Sequence, residues 1–426
     1  MPRTQKPLSC SSIFGISTQQ LVRNYGSPLF VFGEHQIRSK IRSMRTAFDA
    51  HYPHVQFAWS YKTNCLGAIL QIMHSDGLWA EVVSDMEYDK ACHFLHSDQR
   101  LIANGPNKSK RLLDAAIRGN AILHVDHVDE LNAVEEIARQ QAHPTDIGIR
   151  LNVDVGDDAR WSRFGFQLES GEAKSIADRI QRSNVLNLNA IHCHIGTSIR
   201  DVSLYRKMME KLADFVMSID GKISSIDIGG GFASSSLPRS QSDRPLPTDD
   251  QYAEAICETL QRRLPQDYRP TLIVESGRAL IDDAGMLISS VVTTKAEPNR
   301  SQCCMIDAGT NLLPTAPWYH YKVDVASRNT ESEQMLDTSL YGPLCMNVDV
   351  IEPNVSLPRL RRGDQLVLSP VGAYNCSQWQ QFIEYRPNVI LVRENGSTQV
   401  IRRAENLDDV SSAESTEAIW DDRRPH

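Results

Sequence analysis

The chain of 426 residues has no apolar run long enough to span a bilayer as a helix. It also lacks a hydrophobic signal core. Met1-Pro2-Arg3-Thr4-Gln5-Lys6 runs on into polar residues, so a cytoplasmic protein without membrane attachment is expected. Positive charge is in deficit, with 45 Lys+Arg against 53 Asp+Glu and a net charge of −8. No basic stripe is present to neutralise phosphates, which argues against nucleic acid as a partner. The nine cysteines are odd in number and scattered, so they make no disulfide framework in a chain this large. Most are expected to be small buried thiols. There is no internal repeat, and the glycine signature of a dinucleotide site is missing after the first strand.

What remains is an ordinary globular composition, 41% hydrophobic and 23% charged, at a length that suggests two domains. Short apolar runs at 55–59, 78–83, 100–103, 121–125, 146–151, 185–192, 223–228 and 271–275 alternate with amphipathic stretches. Eight strands separated by helices predict an α/β fold, a (β/α)8 barrel over residues 30–280. A doubly wound sheet is the second choice. After 280 the runs at 286–294, 302–307, 365–368, 382–385, 388–393 and 397–402 look like strands joined by turns. They predict a mainly β domain over 281–403, joined by residues 1–29. The stretch 233–250, rich in Ser, Pro and Asp, reads as a mobile surface loop. The acidic, Ser-rich tail 404–426 reads as disordered.

Lys62 ends the run Phe57-Ala58-Trp59-Ser60-Tyr61-Lys62, at the strand end where a (β/α) barrel keeps its chemistry. Burial and cationic neighbours would lower its pKa and suit it to Schiff-base formation. Gly229-Gly230-Gly231 follows another apolar strand and could leave backbone N–H groups open to a phosphate. A tight turn explains the same triplet. Glu275-Ser276-Gly277-Arg278 ends a further strand. A carboxylate there could keep a pyridine nitrogen protonated and Arg278 could contact a phosphate, or the pair could be a surface ion pair. His192-Cys193-His194-Ile195-Gly196-Thr197 tempts a metal reading, but no further Cys/His pair at zinc spacing accompanies it and no metal is expected. A stacking imidazole followed by a Gly-Thr phosphate contact fits its neighbours better. Cys345 and Tyr374 sit in turn-like segments, as a proton donor and a phosphate contact, or as a buried thiol and a packed ring.

These stretches in this order, with Gly105-Pro106-Asn107-Lys108-Ser109 and Ser162-Arg163-Phe164-Gly165, resemble the fold-type III pyridoxal-phosphate decarboxylases, the group of diaminopimelate and ornithine decarboxylases. The likeness runs from about Leu21 to Arg402. It implies an alanine-racemase-like barrel followed by a β domain, pyridoxal 5'-phosphate as cofactor, and a head-to-tail homodimer with shared sites. It assigns the cofactor's Schiff base to Lys62, ring stacking to His194 and the pyridinium to Glu275. Thr197, Gly229, Gly230, Gly231, Gly277, Arg278 and Tyr374 would form the phosphate site. Cys345 would reprotonate the substrate carbon from the partner subunit.

Two positions depart from that pattern. Met346 stands where an acid usually meets the substrate's distal amine, and Asp307-Ala308-Gly309-Thr310-Asn311-Leu312-Leu313-Pro314 lacks an arginine for a distal carboxylate. The expectation is an α-decarboxylase acting on a different amino acid or derivative, in a siderophore, antibiotic or toxin pathway. Asp349 and Glu352 are the nearest acids that could compensate, Asp349 a poor substitute because it matches an acid common to the family. An amino-acid racemase of the same fold and a non-catalytic regulator like the antizyme inhibitors are the rival readings.

Overall fold

The computed structural model describes residues 11–95, 101–156, 163–240, 244–297, 300–327 and 334–415. The eight apolar runs form eight parallel strands: β1 Val55–Ser60, β2 Trp79–Val82, β3 Leu101–Ala103, β4 Ile122–Val125, β5 Thr145–Asn152, β6 Leu186–Cys193, β7 Ser225–Asp227 and β8 Thr271–Val274. Each pairs with the next, and β8 pairs back onto β1, so the sheet is a closed barrel rather than a doubly wound sheet. Strands buried on both faces need uninterrupted apolar sequence, which is why these segments read as runs rather than alternations. Helices wrap the outside with one apolar face inward. Glu34–His51 turns Ile37, Ile41, Met44 and Phe48 to the core, a spacing of four, three and four residues. No helix among the described residues is long and apolar enough to cross a membrane.

The second body is a mainly β domain built on Gly285–Glu297. Leu29–Gly33, near the start of the chain, pairs antiparallel with that strand and parallel with Val389–Val392. The domain carries strands that the apolar pattern did not reveal: Lys322–Ser327, Met335–Tyr341 and Val350–Pro358. Conversely, residues 382–385 form no strand.

Two segments expected to be irregular are built. Within 233–250, Leu237–Pro238 pairs with Tyr319–His320 of the β domain. Arg239 then donates to the carbonyls of Ala316 at 2.8 Å and Ile351 at 3.0 Å and faces Glu352 at 3.1 Å. This stretch is a strap across the two bodies, not a free loop; 241–243 lie outside the described residues. The tail begins with the helix Leu407–Ser411, whose capping box joins Asn406 and Asp409. The rest of the tail, 416–426, lies outside the described residues.

Candidate active site

One cavity of about 1040 Å³ opens at the C-terminal ends of the barrel strands, where the β domain and the strap close over them. Lys62, His194, Thr197, Gly230, Gly231, Glu275, Gly277, Arg278 and Tyr374 all line it. Gly229 sits just behind this lining. Cys345 is exposed and lies elsewhere, in the β-domain loop that follows Met335–Tyr341. Ser162 lies outside the described residues.

Lys62 occupies a single 3-10 turn, Tyr61–Thr63, directly after β1. Its Nζ donates to Glu81 Oε2 and to Ser60 Oγ, each at 2.7 Å, and Ser60 also donates to Glu81. Burial disfavours the ammonium, yet Glu81, then Tyr374 and Glu275, outweigh it and hold the pKa above the ordinary lysine range. The expected lowering by cationic neighbours is therefore corrected, because the nearest charge is an acid that lone-residue patterning did not single out.

Beneath the lining lies a polar layer inside the barrel. Glu275 accepts a hydrogen bond from Asn104 Nδ2 at 2.5 Å and stands 3.4 Å from His192 Nε2. His124 meets Asn104 Oδ1 through Nδ1 at 2.8 Å and stacks on His192, with ring centroids 5.1 Å apart. Gly148 makes room for this stack, because a Cβ there would run into His124. Burial holds both imidazoles well below the usual histidine range, so they are neutral. Asp227 is wholly buried beside Glu275. Burial and then that neighbour push its pKa far up, so Asp227 keeps its proton while its Oδ1 accepts from Gly229 N at 2.8 Å. His124, Asp227 and Glu275 offer ligand atoms within 4.8 Å of one another. Each of the three is also bonded into the fold, Glu275 and His124 Nδ1 to Asn104 and Asp227 to Gly229 N.

His194 follows β6. Burial first, then Arg150 and Lys62, keep its imidazole neutral, and Nδ1 accepts from Gly230 N at 3.1 Å. That leaves a flat, uncharged ring on the cavity wall. The triple glycine is demanded by space as much as by backbone angle. A Cβ at Gly229 (φ 62°) would lie 2.8 Å from His194 Cβ, and one at Gly231 (φ 95°) 2.6 Å from Gly196 O. One at Gly230 would overlap the Glu275 carbonyl. Arg278 Nη1 meets Asp282 at 3.0 Å, and its guanidinium lies over the rings of Tyr319 at 4.2 Å and Tyr374 at 5.1 Å. Tyr374 is held at φ 61°, with its N–H on Thr63 O at 2.8 Å, which turns its ring to the barrel mouth.

Residues 34–282 match the family described as pyridoxal-dependent decarboxylase, pyridoxal binding domain. The chain belongs to the pyridoxal-dependent decarboxylases. It is 27% identical over 418 residues to diaminopimelate decarboxylase of Bacillus subtilis, covering 93% of each chain. It is 28% identical over 415 residues to that of Methanocaldococcus jannaschii, again covering 93% of each. The crystal structure of the M. jannaschii enzyme in complex with L-lysine superposes with a TM-score of 0.87 at 26% identity, over 97% of this chain and 98% of that one. The protein is thus a carboxy-lyase with pyridoxal phosphate as cofactor, and the racemase and regulator readings give way. The cavity fits such a cofactor: a strand-end amine, a flat neutral imidazole, a buried carboxylate and a cradle that any Cβ would fill.

Leu313 is fully buried in the core; from its segment Thr315, Trp318 and Tyr319 line the cavity instead. Asp349 accepts from Thr310 N at 2.6 Å and Leu344 N at 2.8 Å, folding the Cys345 loop about itself. Glu352 is engaged by Arg239 and by Tyr321 N at 2.6 Å.

Proposed function

We propose that this decarboxylase removes the α-carboxylate of an amino acid or derivative other than diaminopimelate or ornithine. One observation carries the reading. The acids that follow Met346 most closely in sequence are both spent on the fold, Asp349 on two backbone N–H groups and Glu352 on Arg239 and Tyr321. Neither is free to receive a distal ammonium. A polar or charged group buried without its partner costs several kcal/mol, enough to reduce turnover by orders of magnitude.

In this reading Lys62 would hold the cofactor through Nζ, and His194 would support its ring. Glu275, held by Asn104, would keep the ring nitrogen protonated. Thr197, Gly229–231, Arg278 and Tyr374 would hold its phosphate, with Gly277 beside them. The bound cofactor supplies an electron sink for the carbanion left by carbon dioxide. Cys345 returns the proton from a second subunit. An exposed thiol outside its own cavity, in a loop that also bares Val348 (70% exposed), supports a homodimer with shared sites.

The names of the relatives favour diaminopimelate itself as the second reading. Measuring carbon dioxide release from meso-diaminopimelate, ornithine, lysine and arginine side by side separates the two. All four should fall well below about 10⁴ M⁻¹s⁻¹ in kcat/KM. Diaminopimelate turned over at or above that value would establish the second reading.

The cradle has its own test. Gly230 has no positive φ, so Gly230→Ala acts only through the contact with the Glu275 carbonyl. Overpacking of this kind costs about 1–3 kcal/mol. Titration of the cofactor-free protein should show affinity for pyridoxal phosphate reduced about tenfold or more, with an unchanged circular dichroism spectrum. Wild-type affinity would remove Gly230 from the phosphate site.

A further inference from the structure

Five cationic side chains line the cavity, and four of them face a carboxylate. Lys62 meets Glu81 at 2.7 Å, Arg150 meets Asp126 at 3.5 Å, Arg244 meets Asp201 at 3.3 Å and Arg278 meets Asp282 at 3.0 Å. Arg200 meets none among the described residues. Its Nη1 donates to the Arg244 carbonyl at 2.7 Å, and its Nη2 to the carbonyls of Ser234 at 3.2 Å and Ser236 at 2.9 Å. Its Nε is buried with no hydrogen-bond partner among the described residues. Carbonyl oxygens satisfy N–H groups but do not cancel a charge, and a guanidinium cannot shed its proton. A half-buried cation without a counter-ion is costly. The fold tolerates it at the one place where the barrel wall meets the strap.

We propose that Arg200 supplies the countercharge for an anionic group, one carboxylate or several, at the end of the substrate remote from its reacting α-carbon, with Arg244 beside it. The proposal rests on the decarboxylase reading above and names the substrate class: an amino acid carrying a carboxylate-bearing tail rather than a terminal amine. Three features agree. Asp349 and Glu352, which follow Met346, are both engaged, the strap brings Ser240 and Arg244 to the same wall, and the volume lies at the top of the usual range for small-molecule sites.

The test uses holoenzyme and two probes, tricarballylate for the carboxylate tail and pentamethonium, a quaternary dication that cannot form a Schiff base, for a cationic tail, followed by titration calorimetry. Tricarballylate should bind at least tenfold more tightly than pentamethonium. Arg200→Gln should weaken tricarballylate at least tenfold without weakening pentamethonium, and Arg200→Lys, which restores charge without the planar fork, should recover most of the loss. Pentamethonium binding as well as tricarballylate, or tricarballylate failing to bind more tightly than about 1 mM, would overturn the proposal in the wild-type protein alone. Equal weakening of both probes in Arg200→Gln and Arg200→Lys would make Arg200 a strap anchor only. Loss of pyridoxal phosphate on substitution would assign its charge to the cofactor phosphate. The preceding reading is judged separately, by carbon dioxide release from diaminopimelate and ornithine, so either can fail without the other.

Discussion

Replacing Lys62 by alanine should reduce carbon dioxide release by about 10³-fold or more, the scale on which an enzyme loses its nucleophile. Borohydride treatment of wild-type holoenzyme should fix the cofactor to the peptide containing Lys62. The variant should bind the cofactor without fixing it. Labelling of another lysine would overturn the assignment. The same amine has a pH signature. Attack on the cofactor's aldehyde needs neutral Nζ, whereas Glu81 at 2.7 Å stabilises the ammonium against the effect of burial and raises its pKa. At neutral pH the amine of the cofactor-free protein is therefore almost wholly charged, and its neutral fraction grows as pH rises. Glu81→Gln removes the largest of the charges that hold the pKa up, so the pKa falls. Each unit of that fall multiplies the neutral fraction about tenfold at fixed pH. Cofactor uptake at pH 7 should be faster in Glu81→Gln, the advantage narrowing toward alkaline pH. Uptake at wild-type rate across the range would show that Glu81 does not control this amine.

How far the sequence disclosed this site depends on which physical constraint each residue obeys. The barrel strands were readable because burial on both faces forces continuous apolar runs, and all eight segments form strands. Lys62, Glu275 and the triple glycine could be placed because each follows such a run. Glu81, Asn104 and Asp227 obey the same rule, polar residues within or at the ends of β2, β3 and β7, and that position was the signal available for finding them. The β domain was harder. Met335–Tyr341 and Val350–Pro358 mix polar and apolar residues without alternating, the second contains Pro353, and the pair slips register between Thr338 and Leu340, so no period of two is sustained. Residues 382–385 carry the aromatics of a strand but place Ile383 and Tyr385 in solvent. Thr315 lines the cavity and Leu313 does not, a distinction of two residues that depends on how the turn after Gly309 packs. Arg200 left no mark in the sequence, because its missing partner is a fact of tertiary structure.

Mixing two inactive variants should restore activity. Cys345 is exposed, and the loop that carries it is pinned by Asp349 to its own β domain, so it cannot swing to Lys62 without losing the bonds to Thr310 and Leu344. If Cys345 is the proton donor, it reaches a cavity of another copy. Apolar side chains bared on the β domain fit burial against such a copy: Val348 in the Cys345 loop, Trp318 at the cavity rim, and Ile383, five residues after the cavity-lining Gln378. In a two-fold dimer each site then takes Lys62 from one subunit and Cys345 from the other. Lys62→Ala and Cys345→Ala should each be nearly inactive alone. In a mixed dimer one site collects both lesions and the other collects neither. With equal amounts and random exchange, half the dimers are mixed and each has one intact site, so activity should return to roughly a quarter of wild type. Exchange is verified independently, by differently tagged subunits co-purifying. Proven exchange with no recovery would place Cys345 outside the partner's site, and full activity of Cys345→Ala alone would remove it from the chemistry.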